Sequence, residues 1–445
     1  MRTINKISKV LGFQMVGEQK ASLRSKSQKL FAELGLARYK KGFVTLSPIL
    51  VKSLRKLESI VRQCMDDVSA VEIILPSITD RSLLEKSGRN HTSELFYVKS
   101  NNGKDSQFLN PTCEESITDL ISVYGSLGQK SLPCRLYQIT NKFRDEMRFK
   151  SGLMRTKEFL MKDLYCFDMN EESCKSTYQE VQHKYHDFFK LLQVPYICLR
   201  GTEGDIGGLH STEFHFLSDA GEDIVLMCKG CGHIDKLKME QDNTETQCSN
   251  CSGKNVTICK TIEVGHAFNL GTRYTEPFKA TFVNDEGKRD LLQMSCFGLG
   301  LTRILAASVE VLSLEEQIRW PAALAPYLLS VIPPKAGSHE EKAASNLTSE
   351  IFNSLHKHFG NDIIIEDRTM WTVGKRLKSI EALGIPYAVV IGKEITKDPP
   401  QIEIQNIYSK TKNFVHVNDV LPFLKSMMED NQKGVGLEAR DSMSN

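Results

Sequence analysis

The run Phe297-Gly298-Leu299-Gly300-Leu301-Thr302-Arg303 marks a junction between strand and helix. It leads from a β-like segment ending near Cys296 into the apolar helical run Ile304 to Leu312. Glycines at a strand-to-helix junction let a ligand approach the backbone, and the helix that follows favours anions at its first turn. Arg303 stands there against the helix dipole, which argues that it serves an anionic partner. Alone, the Gly-x-Gly turn is a weak signal, because many such turns bind nothing.

The densest mixture of charge and aromatic residues lies upstream. Lys142-Phe143-Arg144-Asp145-Glu146 continues through Arg148, Lys150, Arg155, Lys157, Glu158 and Phe159. Read as a strand, a loop and a returning strand, this places Arg144 and Glu146 on one face. A plain ion pair on a half-buried sheet accounts for those two equally well.

Working outward, a helical period covers Leu50 to Met65, with Leu54, Leu57, Ile60, Val61 and Met65 on one side. Strand-like runs follow at Val71–Leu75, stopped by Pro76, and at Leu95–Val98, Leu136–Ile139 and Phe159–Phe167. Asn170 caps a long amphipathic helix from Glu171 to about Leu192, and short β-like runs alternate with Gly-rich turns up to Cys296. Consecutive strands with helices set apart predict an α+β fold, an antiparallel sheet flanked by helices, over residues 26–325. Past Pro326, Pro333 and Pro334 the pattern becomes alternating: strand Leu328–Ile332, helix 340–358, strand Ile363–Ile365, helix 374–382, strand Tyr387–Ile391. That predicts a small α/β domain with a partly parallel sheet over 326–430, followed by a loose tail at 431–445.

Composition narrows the classes. Of 445 residues, 40% are apolar and 25% charged, which excludes a mainly disordered or fibrous chain. Lys and Arg number 57 against 55 Asp and Glu, a net charge of +2, so no partner is recognised by bulk positive charge. No run of about 18 apolar residues exists, so no membrane span is expected. Most of the 12 cysteines are scattered through apolar-periodic segments, as reduced buried thiols are. Four are organised: Cys228-x-x-Cys231 and Cys248-x-x-Cys251, two knuckles that suit four thiolates around a zinc ion. The alternative is a remnant without metal. Up to Leu30 the chain carries Arg2, Lys6, Lys9, Lys20, Arg24, Lys26 and Lys29 against the single acid Glu18. Ile4, Ile7 and Leu11 share a helical face, so residues 1–25 read as an organellar transit peptide, or else as a frayed basic tail.

Together the two charged segments resemble motifs 2 and 3 of the class II aminoacyl-tRNA synthetases, and Glu72-Ile73-Ile74-Leu75-Pro76 resembles motif 1. Pro111-Thr112-Cys113-Glu114-Glu115, Ile206-Gly207-Gly208, Glu213-Phe214 and Ile262-Glu263-Val264-Gly265-His266 are similar to segments of the prolyl-tRNA synthetases of bacterial and mitochondrial type. The likeness runs from about Ser22 to Lys425. It implies that Arg144 contacts the α-phosphate of ATP and Arg303 the γ-phosphate. Glu146 would accept from the adenine amino group, Phe159 would stack on the ring, and Arg155, Gly298 and Gly300 would complete the nucleotide site, with Mg2+ bridging phosphate oxygens. Thr112 and Glu114 would receive the proline ammonium, with Met161, Tyr165 and Phe214 walling the ring and Glu213, Glu263 and His266 nearby. The resemblance further implies tRNA for proline as partner, an anticodon-binding role for the C-terminal domain, a mitochondrial matrix location, and a homodimer formed through motif 1, with Leu54, Leu57 and Val61 needing cover.

The chain departs from the family pattern in loops. Asn110 and Cys113 replace Gly and His, Arg148-Phe149-Lys150-Ser151-Gly152 replaces an Arg-Pro-Arg-Phe-Gly run, and Ser211-Thr212 replaces Ser-His. The editing domain of bacterial relatives has no room here, since only 39 residues separate Asp223 from Glu263. Two rival readings are a class II synthetase for another amino acid, such as threonine, and a synthetase-like protein that binds nucleic acid without catalysis.

Overall fold

Ser47 accepts a hydrogen bond from the Leu50 amide and Pro48 fills the first turn, so α1 (Pro48–Asp66) starts where its apolar stripe starts. In the computed structural model, which describes residues 5–11, 23–90, 94–99, 101, 107–123, 127–147, 151–202, 204–237, 247–344 and 346–429, that stripe is fully used. Leu50, Leu57, Val61 and Met65 are inaccessible to solvent, buried within the chain's own core. The expectation that Leu54, Leu57 and Val61 need a second subunit to cover them is therefore corrected. What remains open at motif 1 is the strand edge beyond the helix: Val71 is 61% and Ile74 85% exposed.

Among the described residues the main sheet has nine strands. Its members are β1 (Val71–Glu72), β2 (Cys134–Phe143), β3 (Glu158–Asp168), β4 (Tyr196–Arg200), β5 (His210–Leu217), β6 (Asp223–Cys228), β7 (Ile234–Leu237), β8 (Val256–Gly271) and β9 (Gln293–Gly300). The order is β7-β6-β8-β9-β3-β2-β1, with β5 paired to β8 and β4. All pairs are antiparallel except β1 with β2, where Val71 faces Leu136 in parallel. Only two residues of the expected strand Val71–Leu75 keep regular pairing. Beyond them the Leu75 amide donates to the Gln138 side chain instead.

Two helices cover one face of this sheet. α2 (Glu171–Leu192) opens with a capping box between Asn170 and Ser173. α3 (Leu301–Leu312) follows β9 directly, starting three residues before the expected Ile304, so Arg303 sits in its first turn. The chain crosses over β8 between β5 and β6: Leu217 faces Thr261 on one edge and Asp223 faces it on the other. Gly221 makes that crossing, and a Cβ there would fall 2.2 Å from the Thr261 carbonyl oxygen. The edge strand β7 folds back against β4, closing a small apolar barrel around Ile197, Leu199 and Val225.

The C-terminal unit holds β10 (Leu329–Ile332), α4 (Leu347–Phe359), β11 (Ile363–Ile365), α5 (Val373–Ala382), β12 (Tyr387–Val390), β13 (Gln401–Asn406) and β14 (Thr411–His416). β10 pairs in parallel with β11 and β12, and the β13–β14 hairpin adds antiparallel strands. The expected helix 340–358 is two helices, His339–Ala343 and α4.

Residues 5–11 pack on this unit. The Ile365 amide donates to the Asn5 carbonyl at 3.0 Å, Ser8 donates to Asp367 through its amide at 2.9 Å and its hydroxyl at 2.5 Å, and Ile7 is fully buried. The stretch expected as a leader thus contains a segment built into the fold. Residues 1–4 and 12–22, and the tail 431–445, lie outside the described residues.

Candidate active site

The site forms where three neighbouring strands present short or polar side chains to the same face. Gly298 of β9 lies between Asp163 of β3 and His266 of β8 in the ladder. Among the described residues, leaving out its chain neighbours, the nearest atom to a Cβ built on Gly298 is the Met161 sulfur at 3.9 Å, so its missing side chain leaves space to the cleft. The cleft holds about 380 Å³ and is lined at one end by Arg144, Glu146, Arg155, Phe159, Gly300 and Arg303. Toward the other end are Thr112, Glu114, Met161, Tyr165 and His266, with Glu263 between, beside Arg303.

At the first end two guanidiniums face the cavity. Arg303 donates its Nε to the Met154 carbonyl at 2.7 Å and Nη1 to the Glu263 carbonyl at 3.1 Å. Among the described residues the Arg144 guanidinium reaches only the Pro111 carbonyl, at 3.5 Å, and it lies over the Phe159 ring at 5.2 Å. Among the described residues neither has a carboxylate partner within ion-pair distance. The Arg144–Glu146 pair allowed by the sequence does not form: Glu146 Oε2 takes the Arg155 Nε at 2.9 Å, and Arg155 also holds Glu222 at 2.6 Å. Burial and the facing charge of Arg303 push the Arg144 guanidinium below its usual range. Two cations that repel each other, held by carbonyl oxygens, make a site prepared for a polyanion. Arg148 and Lys150 lie outside the described residues.

The second end is acidic. Glu114 is buried, accepts the Thr112 hydroxyl at 2.7 Å, and meets Arg89 at 3.3 Å. Burial is the largest influence on its pKa and raises it; Arg89 opposes this and Glu115 adds to it. Beneath lies a polar stack that sequence reasoning passed over. Asp163 accepts from Lys142 at 2.7 Å, from Gln138 at 2.8 Å and from the Tyr165 hydroxyl at 2.9 Å, and the same hydroxyl accepts the Cys113 amide at 2.9 Å. The period of two along β3, which links Met161 to Tyr165, passes through Asp163 and would have found it. Burial would raise the Glu263 pKa, but the hydrogen bond from His266 at 3.0 Å and the charges of His266 and Arg303 pull it well below the carboxylate range.

Two expected pocket residues lie elsewhere. Phe214 is fully buried on the helix side of the sheet, stacked on Phe189 at 5.2 Å and edge-on to Tyr185. Alternation along β5 puts its neighbour Glu213 on the site's side, but behind His266 rather than in the cleft wall.

Cys228, Cys231, Cys248 and Cys251 converge away from the cleft, their sulfurs all within 4.8 Å of one another. The Cys228–Cys251 and Cys231–Cys248 separations are 3.6 Å. A tetrahedral ion with sulfur at about 2.3 Å places sulfurs about 3.8 Å apart, so the donors fit zinc.

Residues 96–312 match the tRNA synthetase class II core domain (G, H, P, S and T), and residues 329–427 match an anticodon binding domain. The probable mitochondrial proline–tRNA ligase of Homo sapiens is 39% identical over 388 residues, 86% of this chain and 81% of the relative. The proline–tRNA ligase of Ehrlichia chaffeensis is 35% identical over 398 residues, 86% of this chain and 91% of the relative. In fold, the chain is similar to the prolyl-tRNA synthetase of Cryptosporidium parvum solved with L-proline and AMP, at a TM-score of 0.75 and 14% identity, covering 95% of this chain and 80% of that one. It also resembles the Giardia lamblia prolyl-tRNA synthetase in complex with prolyl-adenylate, at a TM-score of 0.74 and 17% identity over 90% and 77% of the two chains. A cleft built from class II motifs and an attached anticodon-binding fold, together with relatives matched over most of their length, place the chain in the proline–tRNA ligase family.

Proposed function

We propose that the cleft joins proline to ATP and then passes it to the terminal adenosine of its tRNA. The observation that supports this most is the polarity of one cavity: two guanidiniums without carboxylate partners among the described residues at one end, a buried carboxylate at the other. Arg303 holds the γ-phosphate and Arg144 the α-phosphate, while Phe159 and Glu146 take the adenine. Glu114 and Thr112 receive the secondary ammonium, and Met161, Tyr165 and His266 enclose the ring. The proline carboxylate oxygen attacks the α-phosphorus, that bond forms as the bond to pyrophosphate breaks, and the charge that builds on the α-phosphate meets Arg144. No base is needed, because the carboxylate is already ionised. The gain comes from alignment and charge neutralisation. The magnesium that accompanies the nucleotide adds neutralisation at the phosphates.

The cysteine cluster would hold a structural zinc ion, and the C-terminal unit would bind the anticodon stem. The exposed apolar edge at Val71 and Ile74 supports a homodimer through motif 1. The basic, acid-poor N-terminus and the mitochondrial relatives support work in the mitochondrial matrix. The deciding experiment is exchange of pyrophosphate into ATP measured with each amino acid in turn. Exchange driven by proline above all others is the expected result, and equal exchange with threonine or none at all would overturn it.

A further inference from the structure

We propose that Lys236, carried into the site by β7 of the cysteine-bearing insertion, is a positioning residue for proline. It holds the Glu213 carboxylate off His266 and so fixes the floor of the amino-acid pocket. This rests on the placement of proline beside His266 made above.

Glu213 is buried and faces His266 across the β5–β8 ladder. Its Oε2 accepts from His215 Nε2 at 2.8 Å and from Lys236 Nζ at 2.6 Å. Its Oε1 accepts the Thr202 amide at 3.3 Å and stands 4.0 Å from His266 Nε2. That ring nitrogen is buried and has no hydrogen-bond partner among the described residues. His266 keeps its place through Nδ1, bonded to Glu263 at 3.0 Å, and through its stack on Phe268, with ring centroids 3.8 Å apart. Lys236 is steadied in turn by Asp223 at 3.2 Å, itself a residue of the cleft wall.

Burial raises the pKa of Glu213, and the hydrogen bonds from His215 and Lys236 outweigh it. Take the ammonium away and a buried carboxylate loses its closest cation. The unpartnered His266 Nε2 is then the ring atom within reach, and it donates once the ring gives up its Nδ1 bond to Glu263 and the proton moves to Nε2. Closing 4.0 Å to a hydrogen bond of about 3 Å draws the ring toward β5, off Phe268 and away from Glu263. The surface under the proline ring moves with it, while Arg303 keeps its bonds to the Met154 and Glu263 backbone carbonyls. Lys236 lies on an edge strand with its side chain 24% exposed, so its removal leaves the core packing intact.

The test measures pyrophosphate exchange in Lys236→Met, Lys236→Arg and His266→Ala, titrating proline and ATP separately. Lys236→Met should raise the KM for proline about tenfold, with the KM for ATP within about twofold, and Lys236→Arg should recover most of the loss. Melting temperatures should match the parent. Should His266→Ala raise the proline KM while Lys236→Met leaves it unchanged, the positioning role is wrong. A fall in kcat and a rise in both KM values with a lower melting temperature would mean that Lys236 supports only the fold. An unchanged proline KM in His266→Ala would instead remove the proline placement, and this inference with it.

Discussion

Replacing Arg144 by methionine keeps most of the side-chain stem and removes the cation. In the free enzyme little is lost. The one hydrogen bond, to the Pro111 carbonyl, is 3.5 Å long, at the limit of the interaction. The contact with the Phe159 ring contributes about 0.5–2 kcal/mol. Against it stand burial and the Arg303 charge, both of which disfavour the guanidinium in the folded state. The ligand-free variant should therefore melt at the same temperature as the parent or above it. The reaction is another matter. Removing one donor aimed at developing charge costs about 3–4 kcal/mol, and each 1.36 kcal/mol is tenfold, so proline-dependent exchange should fall about 10²–10³-fold. The assays are pyrophosphate exchange at saturating proline and a ligand-free melting curve with circular dichroism. Exchange within about tenfold of the parent would refute the phosphate role. A melting temperature lower by about 5 °C would refute the claim that the cation is a burden on the free fold.

Four further outcomes are expected. The purified protein should carry about one zinc ion per chain, and Cys251→Ser should lose it and melt lower; metal content near zero with an unchanged melt would dismiss the ion. Glu114 binds a proton more readily folded than unfolded, so its contribution to the free fold is present at low pH and is lost as pH rises through its raised pKa. Proline needs the ionised form, so the thermal protection it gives should grow over that rise and vanish in Glu114→Gln; a pH-independent protection would contradict this. Ile74→Glu should turn a dimer into a monomer by light scattering, and a parent that is already monomeric at micromolar concentration would contradict the interface. Alanine attached to proline tRNA should survive the enzyme at the spontaneous rate, because the pocket rejects it only through lost ring burial; faster deacylation would reveal a second site.

Much of this was legible because local chemistry and global fold agree. The stripe on α1, the Asn170 cap and the apolar-rich run of β3, broken only by Lys162 and Asp163 between Phe159 and Phe167, each specify their element without help from distant residues. The β13–β14 hairpin escaped notice although Gln401 to Gln405 alternates strictly, because β14 offers only Phe414 and Val415 as apolar residues and takes its pairing from β13. In the site, the cations Arg144 and Arg303 and the acid Glu114 stood out by type and spacing. Phe214 was misplaced by a single step of strand alternation. Asp163, Gln138 and Lys142 read as ordinary strand residues, since only register brings their polar groups together. Lys236 could not be seen at all: its partner lies 23 residues back, reached only after the chain has crossed β8 at Gly221.

The strap at residues 5–11 sets a clock on assembly. Asn5 meets Asn361, 356 residues further along, so residues 5–11 reach their place only when the anticodon-binding fold has been made. At about 5–20 residues per second that interval is about 20–70 s. Throughout it Ile7 has no core to enter, and the basic segment around it stays available to whatever reads nascent chains. Completion of β11 and its edge then withdraws it. The same few side chains are thus open while the chain is being made and a seam once it is finished, with the order of synthesis, not a change of sequence, separating the two conditions.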